Sequence, residues 1–341
     1  IVRMTETWAS CASRAVIPGW DGLLILAVLV SLLVGYRPIT GTELWHALTA
    51  PDPTDPAHVT IRSIRFPRTV AGLVCGAALG AAGMAIQALT RNPLADPGIL
   101  GINAGAAFGV VIGALLLGQV DGGILSALAF PGAALAATAV FALGGGLRGN
   151  ASPVRLTLAG AALSVLLLSL VTAAVLMRGE TLDVVRFWIV GSLAEARTRP
   201  LLEMSLAAGA GLLLALALSP KLEALALGDA LSRGLGTRPG RVQAGALVCI
   251  SLLTGAAVAI AGPIAFLGLM VPPIARRLVG ASLRPGLLAA ALLGAAILLL
   301  ADSAGRLLMA PAEIRAGVMT ALLGGPVFVM IARRIRPGAI G

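Results

Sequence analysis

The sequence predicts an all-α polytopic membrane protein, with about ten transmembrane helices arranged as an inverted internal repeat. Three observations predict it. The 341 residues are 58% hydrophobic and only 12% charged, against about 45–50% apolar and about 25% charged in soluble domains. At about 20 residues per span, that apolar share supplies up to about ten helices. Aromatic residues are 4% of the chain, and the alternating ten-residue pattern of an outer-membrane barrel is absent. Helices are then what satisfies the backbone in lipid. Third, a shift of 179 positions aligns Gly76-Ala77-Ala78 with Gly255-Ala256-Ala257, Gly83 with Gly262, Pro93 with Pro272 and Gly101 with Gly280. The shift covers five spans, an odd number, so the two copies run in opposite senses across the membrane.

Taken in order, apolar runs of spanning or near-spanning length occupy 19–35, 69–89, 100–117, 122–147, 156–177, 201–218, 242–261, 263–274, 285–301 and 316–332. The first follows Arg3 and Arg14 but lacks a small-residue cleavage site after Leu33, and reads as an uncleaved span. The eighth is short, and its prolines at 263, 272 and 273 predict a broken or re-entrant entry. Glycines recur every four residues at Gly72, Gly76 and Gly80 in span two, and at Gly101, Gly105, Gly109 and Gly113 in span three. Such spacing lets helix backbones approach in lipid, where no hydrophobic force drives association. Close packing inside one subunit is the expected use.

The formal charge of +10 is scattered between apolar runs instead of forming a basic arm or stripe, which argues against nucleic acid. Positive-inside bias explains it: with both termini cytoplasmic, 15 of the 25 basic residues fall on the inner face. The outer face then remains rich in arginine. Two hydrophilic loops exceed connector length. Residues 38–68 lie outside and carry both histidines, His46 and His58. Residues 219–241 lie inside, and their apolar positions suit two short amphipathic helices broken at Gly228. Loops with helices of their own usually bind something. The whole chain, 1–341, reads as a single transmembrane domain.

Several chemistries are missing. The only lysine, Lys221, follows Pro220 rather than a glycine-rich phosphate loop, so the chain does not hold ATP that way. Carboxylates cluster near helix ends, with Asp302 and Glu313 the nearest exceptions, unlike ion-driven carriers that keep acids within their spans. Two histidines in one loop supply neither a catalytic set nor a metal or haem site. Cys11, Cys75 and Cys249 have no metal or disulfide spacing. The expectation is a non-catalytic, metal-free, pore-forming subunit driven by a separate motor.

The motifs Arg65-Phe-Pro-Arg68 and Gln87-Ala-Leu-Thr-Arg-Asn92-Pro-Leu-Ala-Asp-Pro97-Gly-Ile-Leu-Gly101 resemble the FecCD family of ABC importer permeases for iron-siderophore, haem and corrinoid uptake. Gly262-Pro-Ile-Ala-Phe-Leu-Gly268-Leu-Met-Val-Pro272 and Leu322-Leu-Gly-Gly-Pro326-Val-Phe328 resemble its other two blocks, in the expected order. The resemblance implies a BtuC-like permease fold in a bacterial cytoplasmic membrane. It also implies a second permease subunit in a homo- or heterodimer, two ATPase subunits that bind ATP and magnesium, and an extracytoplasmic binding protein. A ferric siderophore ranks first as cargo, then haem, then corrinoid; a secondary transporter is the remote alternative.

By the same resemblance the loop 219–241 forms the coupling helices, with Glu223, Leu227, Gly228, Asp229, Arg233, Leu235 and Gly236 on the ATPase side. Arg65, Arg68 and Arg306 match the outer arginines that receive the binding protein. Asn92, Pro93 and Pro97 are expected to shape a helix end. Two departures stand out: Pro273 where the family usually has histidine, and Arg315 where it usually has proline.

Overall fold

In the computed structural model, residues 20–118, 122–146, 152–177, 188–234 and 236–334 are described. They form α1 (Trp20–Leu33), α2 (Gly41–Thr49), α3 (Pro56–Thr60), α4 (Phe66–Thr90), α5 (Ile102–Leu117), α6 (Gly122–Leu143) and α7 (Pro153–Met177). After these come α8 (Leu201–Ala226), α9 (Asp229–Gly234), α10 (Pro239–Ala261), α11 (Leu267–Val279), α12 (Leu283–Leu308) and α13 (Ala316–Arg334). Among the described residues six stretches are long and apolar enough to cross a membrane, three shorter apolar helices join them, and α11 completes the ten segments.

Local chemistry sets the boundaries. The expected outer loop is largely helical, because α2 starts with a capping box between Thr40 and Glu43, and α3 continues through a π-turn at Ile61–Arg65 into α4. Asp55 caps α3 and Pro56 occupies its first turn. At the other end of α4, Arg91 takes a left-handed conformation, φ 53°. The Asn92 side chain then accepts from Leu94 N at 2.9 Å and that of Asp96 from Gly98 N at 2.8 Å. Two successive Asx turns are thus what the Asn-Pro and Asp-Pro pairs encode. Gly101, at φ 71°, begins α5 and is needed for that left-handed turn, rather than for the helix contact expected of it.

Gly76 and Gly80 of α4 lie against the backbones of Gly294 and Ala290 of α12, while Gly72 faces Leu299 of the same helix. On the opposite flank, Gly105 and Gly109 of α5 meet Gly132 and Leu128 of α6, and Gly113 meets the Leu128 side chain. A Cβ at Gly76, Gly80, Gly105 or Gly109 would collide with a carbonyl oxygen. The helix pairs are therefore in backbone contact, close enough for Cα–H···O interactions.

The inverted repeat appears as exchanged partners. Helix α4 packs on α12 and α11, and α10 packs on the corresponding α6 and α5. Its register differs from the 179-residue shift: α4 ends at Thr90 and α10 at Ala261, 171 positions apart. Gly83 is mid-helix whereas Gly262 caps a helix, and Pro93 lies in a turn whereas Pro272 lies inside α11. Those individual matches reflect composition, and the repeat survives at the level of helices.

At two of the prolines inside helices a side chain replaces the missing backbone donor. The expected break near span eight is the loop 262–266, and α11 itself runs through Pro272 and Pro273. Pro273 lacks the N–H that would bind Leu269 O, and Gln87 Nε2 of α4 donates to that oxygen at 3.3 Å. Pro220 likewise leaves Leu216 O without its helical donor, which the Ser219 hydroxyl replaces at 2.7 Å. Arg315, the other departure, offers its carbonyl to Val318 N and Met319 N at the start of α13.

Candidate functional site

Two polar clusters occupy opposite ends of the α4–α12 pair. At the end bearing α2, Arg68 of α4 donates Nε and Nη2 to the two oxygens of Asp302 at 2.9 Å each, and Nη1 to Glu313 at 2.8 Å. Asp302 is fully buried within α12. One turn on, Arg306 donates to the carbonyls of Ser31 and Val34 and to the hydroxyls of Ser31 and Ser303. Its Nε lies 3.3 Å from Asp302 Oδ2, an ionic contact without hydrogen-bond alignment. Arg65 donates to the carbonyls of Leu32 and Arg37. This cluster joins α1, α4, α12 and the segment before α13.

That geometry corrects one expectation. Arg65, Arg68 and Arg306 are 4–5% exposed, and their guanidinium groups are spent on internal acids and carbonyls. They hold this end of the helix bundle together, with their guanidinium groups turned inward rather than to the surface. Among the described residues, Arg37, Arg62 and Arg197 are the exposed arginines of this end. The alternation of arginine with apolar residues in Arg65-Phe-Pro-Arg68 cannot distinguish the two roles; the signal available was Asp302, an acid isolated in an apolar helix that needs a cation nearby.

At the opposite end lies the loop 219–241. The first of its two expected short helices is instead the continuation of α8 to Ala226. Gly228, at φ 113°, makes the break, and α9 follows. Leu227 and Leu231 are 65% and 53% exposed; Glu223, Arg233 and Gly236 are exposed too. Asp229 begins α9, and Leu235 lies outside the described residues. An exposed leucine at the end of α8 and another on the short helix α9, with charged residues close by in sequence, suit a protein contact.

Two links not foreseen from sequence strap this loop to the bundle. Arg91, at the end of α4, donates to Leu225 O at 2.7 Å. The Glu223 carboxylate accepts from Leu283 N, the first residue of α12. The loop is thereby tied to both members of the central pair. Beside these links, Gln87 bridges α4 and α11, accepting from Arg276 Nη1 at 2.8 Å while donating to Ala95 O and Leu269 O. Asp96, in the turn between α4 and α5, is half-buried, and desolvation pushes its carboxyl above the usual range against the opposing pull of Gly98 N. In the segment between α1 and α4, Thr40 and Thr54 hold Glu43 and Asp52 below theirs through hydrogen bonds to the ionised form.

A ten-segment helical bundle with a buried arginine–carboxylate cluster at one end and a strapped, exposed helical loop at the other defines an integral membrane permease. The chain belongs to the FecCD transport family, whose profile matches residues 23–334. It is 43% identical over 326 residues to the ferric enterobactin transport system permease protein FepD of Escherichia coli strain K12, covering 94% of this chain and 96% of that one. A probable siderophore transport system permease protein of Bacillus subtilis, YfiZ, is 40% identical over 92% of this chain and 93% of its own length. The hemin transport system permease protein HmuU of Yersinia pestis is 36% identical, covering 92% and 94%. Among solved structures, an inward-facing putative metal-chelate type ABC transporter superposes with a TM-score of 0.77 at 28% identity, covering 93% of this chain and 98% of that one.

Proposed function

We propose that this chain is the permease subunit of an ATP-driven importer that passes a ferric siderophore across a bacterial cytoplasmic membrane. The observation that carries this reading is the near full-length identity, 43%, to a ferric enterobactin permease. Both termini are cytoplasmic, which places the 219–241 loop inside with an excess of basic residues. Two ATPase subunits seat that loop through Leu227, Leu231 and Arg233, and supply the ATP and magnesium chemistry themselves. A second permease subunit completes the pathway. A binding protein delivers cargo to the outer end, steered by the exposed arginines Arg37, Arg62 and Arg197; surface pairs of this kind are individually worth about 0–1 kcal/mol and act mainly on orientation and on-rate.

The straps give the coupling a physical route. When the ATPases close, movement of the loop pulls α4 through the Arg91–Leu225 bond and α12 through the Glu223–Leu283 bond. Because α4 and α12 are in backbone contact, they move as one body, and the segments packed on them follow.

Uptake of radioactive ferric siderophore into proteoliposomes holding permease, ATPase and loaded binding protein tests the reading. ATP-dependent accumulation is expected. Uptake that persists without the ATPase and collapses with the proton gradient would show a secondary transporter. The 36% identical hemin permease supports a haem reading as second choice, and haem outcompeting siderophore for the cognate binding protein would establish it.

A further inference from the structure

Between the end of α8 and the start of α10 lies an open groove of about 590 Å³, whose lining includes Lys221, Arg238 and Arg241. Among the described residues no acidic one lines it. The nearest carboxylate on the same helix, Glu223, is engaged by Leu283 N. Among the described residues none of the three cationic side chains makes a hydrogen bond or ion pair, and all three are exposed. Three cations converging from two elements on one concavity repel one another unless an anion joins them. We propose that this groove binds the phosphate-bearing headgroup of an anionic phospholipid. Its volume suits a small ligand, and basic pockets between transmembrane helices on the cytoplasmic side are suited to anionic headgroups.

The source of the phosphate follows from α8. Leu202, Leu206 and Leu213 are about 67–70% exposed, and Pro220 at the mouth of the groove extends the same stripe. The stripe leads straight into the groove, giving acyl chains an apolar track beneath a cationic head site; inorganic phosphate would use only the head site. Thr237, also in the lining, directs its hydroxyl to Ser232 O, so recognition is through charge. The inference rests on the membrane assignment and is independent of the cargo.

The test is native mass spectrometry of the full chain released from micelles doped with phosphatidylglycerol or phosphatidylcholine. Selective retention of phosphatidylglycerol is expected. Each of Lys221→Gln, Arg238→Gln and Arg241→Gln should weaken it about fivefold and the triple variant about a hundredfold, with circular dichroism melts unchanged. Arg155→Gln, an exposed arginine outside the groove, should leave retention intact. Equal retention of both lipids, or full retention by the triple variant, overturns the proposal. Inorganic phosphate that displaces the lipid at equal concentration assigns the groove to free phosphate and overturns the lipid source. Loss of ATPase co-purification in the triple variant with lipid retention unaltered makes these cations a protein contact, and overturns it as well.

Discussion

Replacing Asp302 with asparagine should destabilise the fold more than any exposed charge change. Asp302 is fully buried; it receives two 2.9 Å bonds from Arg68 and an ionic contact at 3.3 Å from Arg306. Removing its charge leaves Arg306 with carbonyls and hydroxyls alone, and leaves Arg68 facing only the partly exposed Glu313. Breaking a buried pair by deleting one partner costs about 3–5 kcal/mol. Asparagine retains one acceptor oxygen, so Asp302→Asn should fall near about 3 kcal/mol and Asp302→Ala near about 5. The smaller value lowers the folded-to-unfolded ratio by roughly two orders of magnitude. Unfolding of the purified chain in mixed micelles, followed by circular dichroism against denaturing detergent, measures it. Arg62→Gln, an exposed control, should stay within about 0.5 kcal/mol. The reasoning is refuted if Asp302→Asn costs less than about 1 kcal/mol, or if Arg68→Gln leaves stability intact while weakening binding-protein affinity.

Gly80→Ala places a methyl group on Ala290 O of α12, so the helices must separate and stability should fall by about 1–3 kcal/mol; Gly22→Ala, with open space around it, should be neutral in the same melt. Gln87→Leu leaves Leu269 O, Ala95 O and Arg276 short of a partner and should cost about 1–3 kcal/mol, whereas a change under a few tenths would show that the Pro273 gap needs no donor. Arg91→Gln combined with Glu223→Ala should leave ATPase co-purification unchanged but lower transport per ATP hydrolysed in proteoliposomes; unchanged coupling would remove the straps from the mechanism. Asp96 has a raised folded-state pKa, so its protonated form is favoured on folding. Its contribution is most favourable below the unfolded carboxylate pKa and is lost as pH rises through the folded one. Asp96→Asn, which caps equally well, should therefore raise stability at neutral pH and flatten the acid side of the pH profile; an unchanged profile counts against the burial effect.

Sequence by itself determined the class, the segment count, the helix breaks after residues 90 and 261, and the family. Those follow from one-dimensional properties: apolar run length against bilayer thickness, the Asn-Pro and Asp-Pro turn pairs, the proline-bounded 262–266 loop and the ordered motifs from Arg65 to Phe328. The glycine spacing announced close approach, but which helices approach was decided by tertiary structure, because spacing describes one helix face and says nothing about what faces it. For the same reason the arginines were misread. An arginine at a helix end looks the same in sequence whether its guanidinium reaches solvent or turns inward. Only the fold brings Asp302, 234 positions along the chain, within 2.9 Å of Arg68. The register of the repeat, the straps from Arg91 and Glu223, and the Gln87 donor that completes a proline-broken helix were likewise settled in three dimensions. Each pairs a side chain with a carbonyl, an amide or a charge on a distant segment, and the need for such a partner becomes specific only once burial has removed water as the alternative.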